Sequence, residues 1–333
     1  MIGLVLAASL AATPVDSAGV RADTLAVPAA SPALRLADRD TLGESPDGRG
    51  RLLEPSGIAT DAFGRLYVTD AAEHRLQRWD AAGRWLDETG ALGSEVNQFR
   101  RPGSVARLGS LGVAVLDIEN RRILTFDLLG RRLSVLVDLA SDELATSVGR
   151  ITPIALASDQ GGALYVADAD GDRILAFDFS GHYTRTIGRH GDSQGAFRGL
   201  AGLTVGPRGE LVTSERPRPE PRKSAAPAGA NTARVRLQYF DAGGRPLAQA
   251  FSPRTPGTAA FPVAVDDSGR VALADESAGR LMILDRGGAS LASRDGFAQP
   301  RALAFAPDGT LLVAEAGAGR VRRIALLPAA AKE

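Results

Sequence analysis

One pattern of short apolar runs, roughly forty-odd residues long, recurs along this chain from Pro55 almost to its end. The copies begin at Pro55, Pro102, Pro153, Arg198, Pro262 and Pro300, and self-similarity at such a period marks a solenoid or a propeller. The third copy is the clearest. It reads Ile154-Ala155-Leu156-Ala157, Gly161-Gly162, Leu164-Tyr165-Val166-Ala167-Asp168, Arg173-Ile174-Leu175-Ala176-Phe177-Asp178, Gly181, then Tyr183 to Gly188. Each run is short, suited to a strand and bounded by turn residues, and no 3.6-residue period intervenes. Four strands per copy are therefore predicted.

The punctuation repeats as well. Asp61-Ala62-Phe63-Gly64, Asp159-Gln160-Gly161-Gly162, Pro207-Arg208-Gly209, Asp267-Ser268-Gly269 and Pro307-Asp308-Gly309 separate first from second strands, and Gly83, Gly130, Gly181, Gly244 and Gly288 separate third from fourth. Tight hairpins need a positive φ, which glycine adopts without strain. The sixth copy ends after Arg320 to Leu327 without a fourth strand. Leu34 to Gly43 resembles the fourth strands Trp85 to Gly90 and Tyr183 to Gly188, so it is the candidate to complete the ring and remove an exposed edge. The predicted fold is all-β: a six-bladed β-propeller of four-stranded antiparallel blades, spanning 34–327 and closed by an N-terminal strand.

Composition narrows the chemistry. There is no cysteine, so disulfides, thiolate metal sites and a cysteine nucleophile are excluded. Histidine is limited to His74, His182 and His190. Lys plus Arg and Asp plus Glu both number 39, so no net field draws the chain to nucleic acid or an anionic surface. Aromatics are 5%, and Trp79, Phe126, Phe177 and Phe240 recur at strand positions that read as core, which also argues against RNA stacking. No serine elbow, metalloprotease helix, P-loop or dinucleotide fingerprint is present.

The stretch Tyr67-Val68-Thr69-Asp70-Ala71-Ala72-Glu73-His74-Arg75-Leu76 resembles the NHL repeat, named for an Asn-His-Leu-like triplet at this hairpin, and Asn120-Arg121-Arg122-Ile123 is a weaker copy. Later copies drift to forms such as Ala278-Gly279-Arg280-Leu281. The resemblance spans about nine-tenths of the chain and implies a six-bladed propeller. It implies no single activity, since the fold carries protein-binding, RNA-binding, lyase and lactone-hydrolysing members. The peptide-amidating lyases of this fold hold zinc through three histidines at the channel. Here His182 follows a turn on the opposite face, so only His74 and His190 can share a mouth. The related lactonases hold calcium with an acid and asparagines, and this chain offers only Asn97, Asn120 and Asn231 beside its acids.

Two residue types repeat where hairpins crowd one face. An acid ends each second strand: Asp70, Asp117, Asp168, Glu215, Asp275 and Glu315. An arginine opens each third strand: Arg75, Arg122, Arg173, Arg236, Arg280 and Arg320. With His74 these are the candidate ligand-face residues. Because they repeat in every unit, the structural expectation is a carboxylate–guanidinium pair, bidentate, across or between blades. The competing expectation is a cation or ligand site at the channel. Asp80, Asp127, Asp178, Asp241 and Asp285, beside the glycine turns, are assigned to turn chemistry.

Between Glu215 and Arg236 the fourth copy carries an Arg-, Pro- and Ala-rich insertion, 216–233, read as a solvated loop on the hairpin face and a candidate basic arm for an acidic partner. At the other end, Met1 to Ala12 is an apolar run too short to span a bilayer, followed by small residues, and Ser9-Leu10-Ala11 offers a cleavage site. No basic residue precedes the run; the amino terminus supplies the charge, or the start lies upstream. A signal peptide at 1–20, a spacer at 21–33 and a tail at 328–333 follow. The functional expectation is a monomeric periplasmic or secreted scaffold, binding a protein, peptide or glycan without catalysis or cofactor. The alternative is a calcium- or zinc-assisted hydrolase or lyase at the channel mouth.

Overall fold

A computed structural model of the protein describes residues 34–44, 48–95, 97–110, 112–218, 233–257 and 260–329. The expected signal and spacer at 1–33 and the end of the expected tail, 330–333, lie outside the described residues.

Most second strands are apolar almost without alternation, as in Leu164-Tyr165-Val166-Ala167, whereas the fourth strands alternate, as in Trp85-Leu86-Asp87-Glu88-Thr89. Continuous apolarity demands cover on both faces of a sheet, and radial stacking of sheets supplies it. The structure contains six four-stranded antiparallel sheets. From the axis outward, blade 1 is Pro55–Thr60, Leu66–Asp70, Arg75–Trp79 and Trp85–Thr89. Blade 2 is Pro102–Leu108, Gly112–Asp117, Arg122–Asp127 and Arg132–Asp138. Blade 3 is Pro153–Ser158, Leu164–Asp168, Arg173–Phe177 and Tyr183–Ile187. Blade 4 is Leu200–Val205, Leu211–Arg218, Ala233–Phe240 and Pro246–Thr255, and blade 5 is Val263–Val265, Val271–Asp275, Arg280–Leu284 and Ser290–Asp295. Blade 6 takes Pro300–Phe305, Leu311–Glu315 and Arg320–Pro328 from the C-terminal end, with Leu34–Leu42 as its outer strand.

That outer strand runs antiparallel to Arg320–Pro328, with Leu34 opposite Pro328, Leu42 opposite Val321 and a bulge between Asp38 and Asp40. Arg294 of blade 5 donates to Asp38 at 3.0 Å, and this hydrogen bond holds the Asp38 carboxyl below its ordinary range against the opposing effect of burial.

The core is divided among the interfaces between blades. Leu116 and Ile123 of blade 2 pack with Leu164, Val166 and Phe177 of blade 3, and five further clusters join the other neighbours in the same way. Phe126, Phe177, Phe240 and Trp79 are buried there as expected, each burial contributing about 2–3 kcal/mol. Hydroxyls stitch the inner strands: Ser56 donates to the Pro102 carbonyl at 2.6 Å and Thr60 to the Phe305 carbonyl at 3.3 Å.

Two local expectations are corrected. The connection between blades 2 and 3 contains a helix, Asp142–Val148, which the strand pattern does not foresee. Ser141 caps it, accepting from the Leu144 amide, acids fill its first turn and Gly149 ends it, while Leu144 joins the core. The insertion in blade 4 starts later than 216: the second strand continues to Arg218 and the third begins at Ala233, so Arg236 sits inside its strand rather than opening it. Residues 219–232 are outside the described residues.

Candidate functional site

In each antiparallel blade the second-to-third hairpin and the loop entering the first strand share one face. The acid ending each second strand stands there and is buried: Asp70, Asp117, Asp168, Glu215, Asp275 and Glu315 are at most 1% exposed. A buried carboxylate needs donors, and every one of the six accepts a backbone N–H from the loop entering its own blade. Asp70 accepts from Leu53 (2.8 Å) and Glu54 (3.0 Å), Asp117 from Arg100 (2.7 Å) and Asp168 from Thr152 (2.9 Å). Glu215 accepts from Arg198 (3.0 Å), Asp275 from Gly257 (2.9 Å) and Glu315 from Ala298 (3.4 Å). Pro55, Pro102, Pro153 and Pro300 stand opposite four of these acids in register and bring no N–H of their own.

The arginines do not repeat one contact. Four pair with the acid of their own hairpin: Arg122–Asp117 at 2.9 Å, Arg173–Asp168 at 2.8 Å, Arg236–Glu215 at 2.7 Å and Arg320–Glu315 at 3.0 Å. The expected bidentate geometry occurs among these in Arg236–Glu215, and the pairs lie within a blade rather than between blades. The arginines also hold carbonyls of the loop entering their own blade: Arg122 donates to Ser94 and Gln98, Arg173 to Arg150, and Arg236 to Asp192 and Ala196. Arg75 and Arg280 turn outward to Glu88 (2.8 Å) and Asp295 (2.6 Å). In those two blades backbone amides and hydroxyls already occupy both acid oxygens: Leu53, Glu54 and Glu73 on Asp70; Thr255, Gly257, Ser277 and Ala278 on Asp275.

The turn acids behave as expected. Asp80 accepts the Arg84 amide at 2.9 Å, and Asp127, Asp178 and Asp241 accept the equivalent amides. These backbone hydrogen bonds lower the carboxyl pKa of Asp80, Asp178 and Asp241.

The first strands surround a channel of about 870 Å³. Its wall mixes apolar and polar groups, with Ile58, Ile154, Leu203, Val265 and Phe305 lining it alongside Ser56, Thr204 and Asp266. At the hairpin-face mouth five charged side chains that the repeat pattern does not mark form one network. Glu54 accepts from Arg101 (3.3 Å) and from Arg301, Arg301 also donates to Glu276 (3.0 Å), and Arg101 lies 3.6 Å from Glu119. Burial opposes the charge of Arg301, but its bonds to Glu276 and Glu54 prevail and raise its pKa. Arg101 has φ +53°, a conformation its counterpart Gly199 in blade 4 adopts freely and an arginine adopts at a cost of about 1 kcal/mol. His74 is in this network: its Nδ1 accepts the Arg101 amide at 3.1 Å. His190 instead bonds Asp172 at 2.7 Å, and His182 lies at a third-to-fourth turn on the other face, beside Asp178. The signal in the sequence was position. Glu54, Arg101 and Arg301 flank the prolines that open first strands, and Glu119 and Glu276 follow second-strand acids.

The network does not fit a calcium ion as it stands, because arginines occupy the glutamates. Asn120 donates its amide N–H groups to Gly93 O and Asp117. Among the described residues, no three His, Asp or Glu side chains are grouped to hold a metal ion.

No family model matches the chain. Among solved structures it is similar to a streptogramin B lyase, at 13% identity and TM-score 0.58 over 88% of this chain and 98% of that one. It is also similar to the calcium-binding protein regucalcin from Agrobacterium tumefaciens, at 16% identity and TM-score 0.57 over 88% and 95%. A putative gluconolactonase matches at 15% identity and TM-score 0.57 over 90% and 93%. At these identities the likeness is one of fold: the neighbours share the propeller.

Proposed function

We propose that the protein is a binding propeller without catalytic chemistry, taking a protein, peptide or glycan partner on the face that carries the entry loops and the channel mouth. One observation carries this reading. The acids and arginines that the repeat offers for chemistry are engaged in holding loops, and the mouth presents instead a mixed-sign network of Arg101, Arg301, Glu54, Glu119 and Glu276 over a channel of mixed polar and apolar lining. A partner with paired donors and acceptors can exchange with such a network without stranding a charge, which favours recognition over bond breaking. The proposal includes a periplasmic or extracellular location, suggested by the apolar run Met1 to Ala12; fractionation checks that, and a cytoplasmic pool would refute it.

The test is capture on peptide and glycan arrays followed by titration. A saturable ligand should lose at least about tenfold in affinity with Arg101→Ala at unchanged melting temperature. Turnover of the captured ligand, or affinity indifferent to Arg101→Ala, would sink the reading.

A second reading, metal-assisted hydrolysis or lysis of a lactonase kind at the same mouth, draws on the likeness to a lyase and to a calcium-binding propeller. It requires Glu54, Glu119 and Glu276 to leave their arginines for the ion, calcium being the cation that oxygen donors suit. Elemental analysis of protein purified without chelator separates the two: stoichiometric calcium or zinc supports the enzyme, and metal-free protein supports the scaffold.

A further inference from the structure

The face opposite the channel mouth just described carries the first-to-second and third-to-fourth turns, and the repeats supply an internal control for what those turns need. Ten of these turns close with a glycine amide donating to the carbonyl three residues earlier: Gly64 to Asp61, Gly83 to Asp80, Gly130 to Asp127, Gly162 to Asp159, Gly181 to Asp178, and likewise Gly209, Gly244, Gly269, Gly288 and Gly309. The two residues between are free to vary. In blades 4 to 6 they are Pro207-Arg208, Ala242-Gly243, Asp267-Ser268, Arg286-Gly287 and Pro307-Asp308. In blades 1 to 3 the same positions hold Ala62-Phe63, Ala81-Ala82, Leu128-Leu129, Gln160-Gly161 and Phe179-Ser180, so three of these five turns carry a large apolar residue and none of those in blades 4 to 6 does. The turn does not require these apolar residues, and the core does not use them: Phe63 is 72%, Leu129 57% and Phe179 75% exposed.

The tips are close together in the ring. Tyr67 Oη lies within hydrogen-bonding distance of both Asp61 (3.2 Å) and the Leu128 carbonyl (3.1 Å), so the Phe63 and Leu129 turns meet at one hydroxyl. A side chain at Gly181 would run into Leu136 O, so the Phe179 turn packs on the outer strand of blade 2. That strand exposes Leu133 and Val135 as well. Guanidinium groups accompany the tips: Arg65 lies over the Phe63 ring at 5.2 Å, and Arg84 and Arg131, held by the turn acids Asp80 and Asp127, remain 82% and 75% exposed.

We propose that this face of blades 1 to 3 docks peripherally on a phospholipid surface. Phe63, Leu129 and Phe179 enter the boundary between headgroups and acyl chains, and Arg65, Arg84 and Arg131 lie at the phosphates. Apolar groups on projecting turn tips, rather than lining a groove, suit a soft interface that closes around them, and aromatic rings beside guanidinium groups match its change from apolar to charged over a few ångströms. No helix among the described residues is long and apolar enough to cross a membrane. Docking by these tips leaves the channel mouth facing away from the bilayer.

The full chain is sedimented with vesicles of equal parts phosphatidylcholine and phosphatidylglycerol. Wild type should partition to the vesicles, and Phe63→Ser with Phe179→Ser should reduce partitioning about a hundredfold, at near-unchanged melting temperature. Leu129→Ser alone should cost about tenfold, and Ser268→Leu on the polar side should not restore what the double variant loses. Wild type remaining in the supernatant overturns the proposal. So does a wild-type dimer in sedimentation equilibrium that the double variant dissolves, since the tips would then meet a second copy.

Discussion

Blades 1 and 4 share the Arg-Leu-Gln start of this third-strand segment, Arg75-Leu76-Gln77-Arg78-Trp79 against Arg236-Leu237-Gln238-Tyr239-Phe240, and yet solve their buried polar groups differently. In blade 4, Glu215 accepts from two guanidinium nitrogens of Arg236, Nε and Nη2, and from the Gln238 amide, all buried. In blade 1, Asp70 is filled by three backbone amides, and Arg75 turns to the half-exposed Glu88. Gln77 and Gln238 keep one job, each donating to a carbonyl of the entering loop. What the repeat conserves is therefore the grip on that loop. The arginine goes to whichever carboxylate oxygen the backbone leaves over.

Both locks presuppose an intact ring, so the largest effect should come from removing residues 34–42. We propose that this strand holds blade 6 against its neighbours, and its deletion should abolish cooperative thermal unfolding. A melting temperature equal to wild type would show that the ring needs no such strand.

The comparison itself is broken or upheld by paired substitutions. Arg236→Ala strands a buried carboxylate and should cost about 3–5 kcal/mol, whereas Arg75→Ala loses a half-exposed pair and one carbonyl contact and should cost about 1 kcal/mol. Denaturant titration measures both. Equal losses would mean that the two arginines do the same work.

A finer difference lies one step along the strand. Arg78 of blade 1 finds Asp87 at 2.7 Å and the Leu128 carbonyl, while Tyr239 of blade 4 is buried with no hydrogen-bond partner for its hydroxyl among the described residues. Burial pushes the Tyr239 pKa up to about 12, with Arg286 opposing. Its unfolded value is near 10. Folding thus favours the neutral hydroxyl: the contribution is intact below about pH 10 and is lost as pH rises toward about 12. Tyr239→Phe should flatten that alkaline loss and change neutral-pH stability by about 1 kcal/mol or less. An unchanged alkaline arm of the pH–stability curve would refute this.

The smallest effect is expected from deleting 219–229, which lies beyond the Glu215–Arg236 lock. Stability should stay within about 0.5 kcal/mol, and unfolding on deletion would show that the insertion supports blade 4.

Much of the architecture was legible before any coordinates. Short apolar runs without a helical period, glycine turns and a repeat that opens on proline in five of its six copies set six blades, and the likeness of Leu34 to Gly43 to the fourth strands offered a partner for the last blade. The helix Asp142–Val148 escaped because seven residues give too little periodicity, although Ser141, Asp142, Glu143 and Gly149 carry capping signals. The acids and arginines were identified as residues, and the pairing expected of them occurs in four of the six blades. Repetition said that they had a common job; it did not say that Asp70 and Asp275 would be filled by backbone amides.

Sequence alone determined what is local or periodic: strand content, turn positions, the apolar faces that must stack, and which residues recur. The tertiary structure decided everything that depends on which loop meets which blade. The mouth network joins Glu54, Arg101, Glu119, Glu276 and Arg301 from blades 1, 2, 5 and 6, and the apolar tips join turns of blades 1, 2 and 3. No period links such residues. They become neighbours because a closed ring brings distant segments to one axis and one face, and hydrogen-bond saturation then decides which charges stay available.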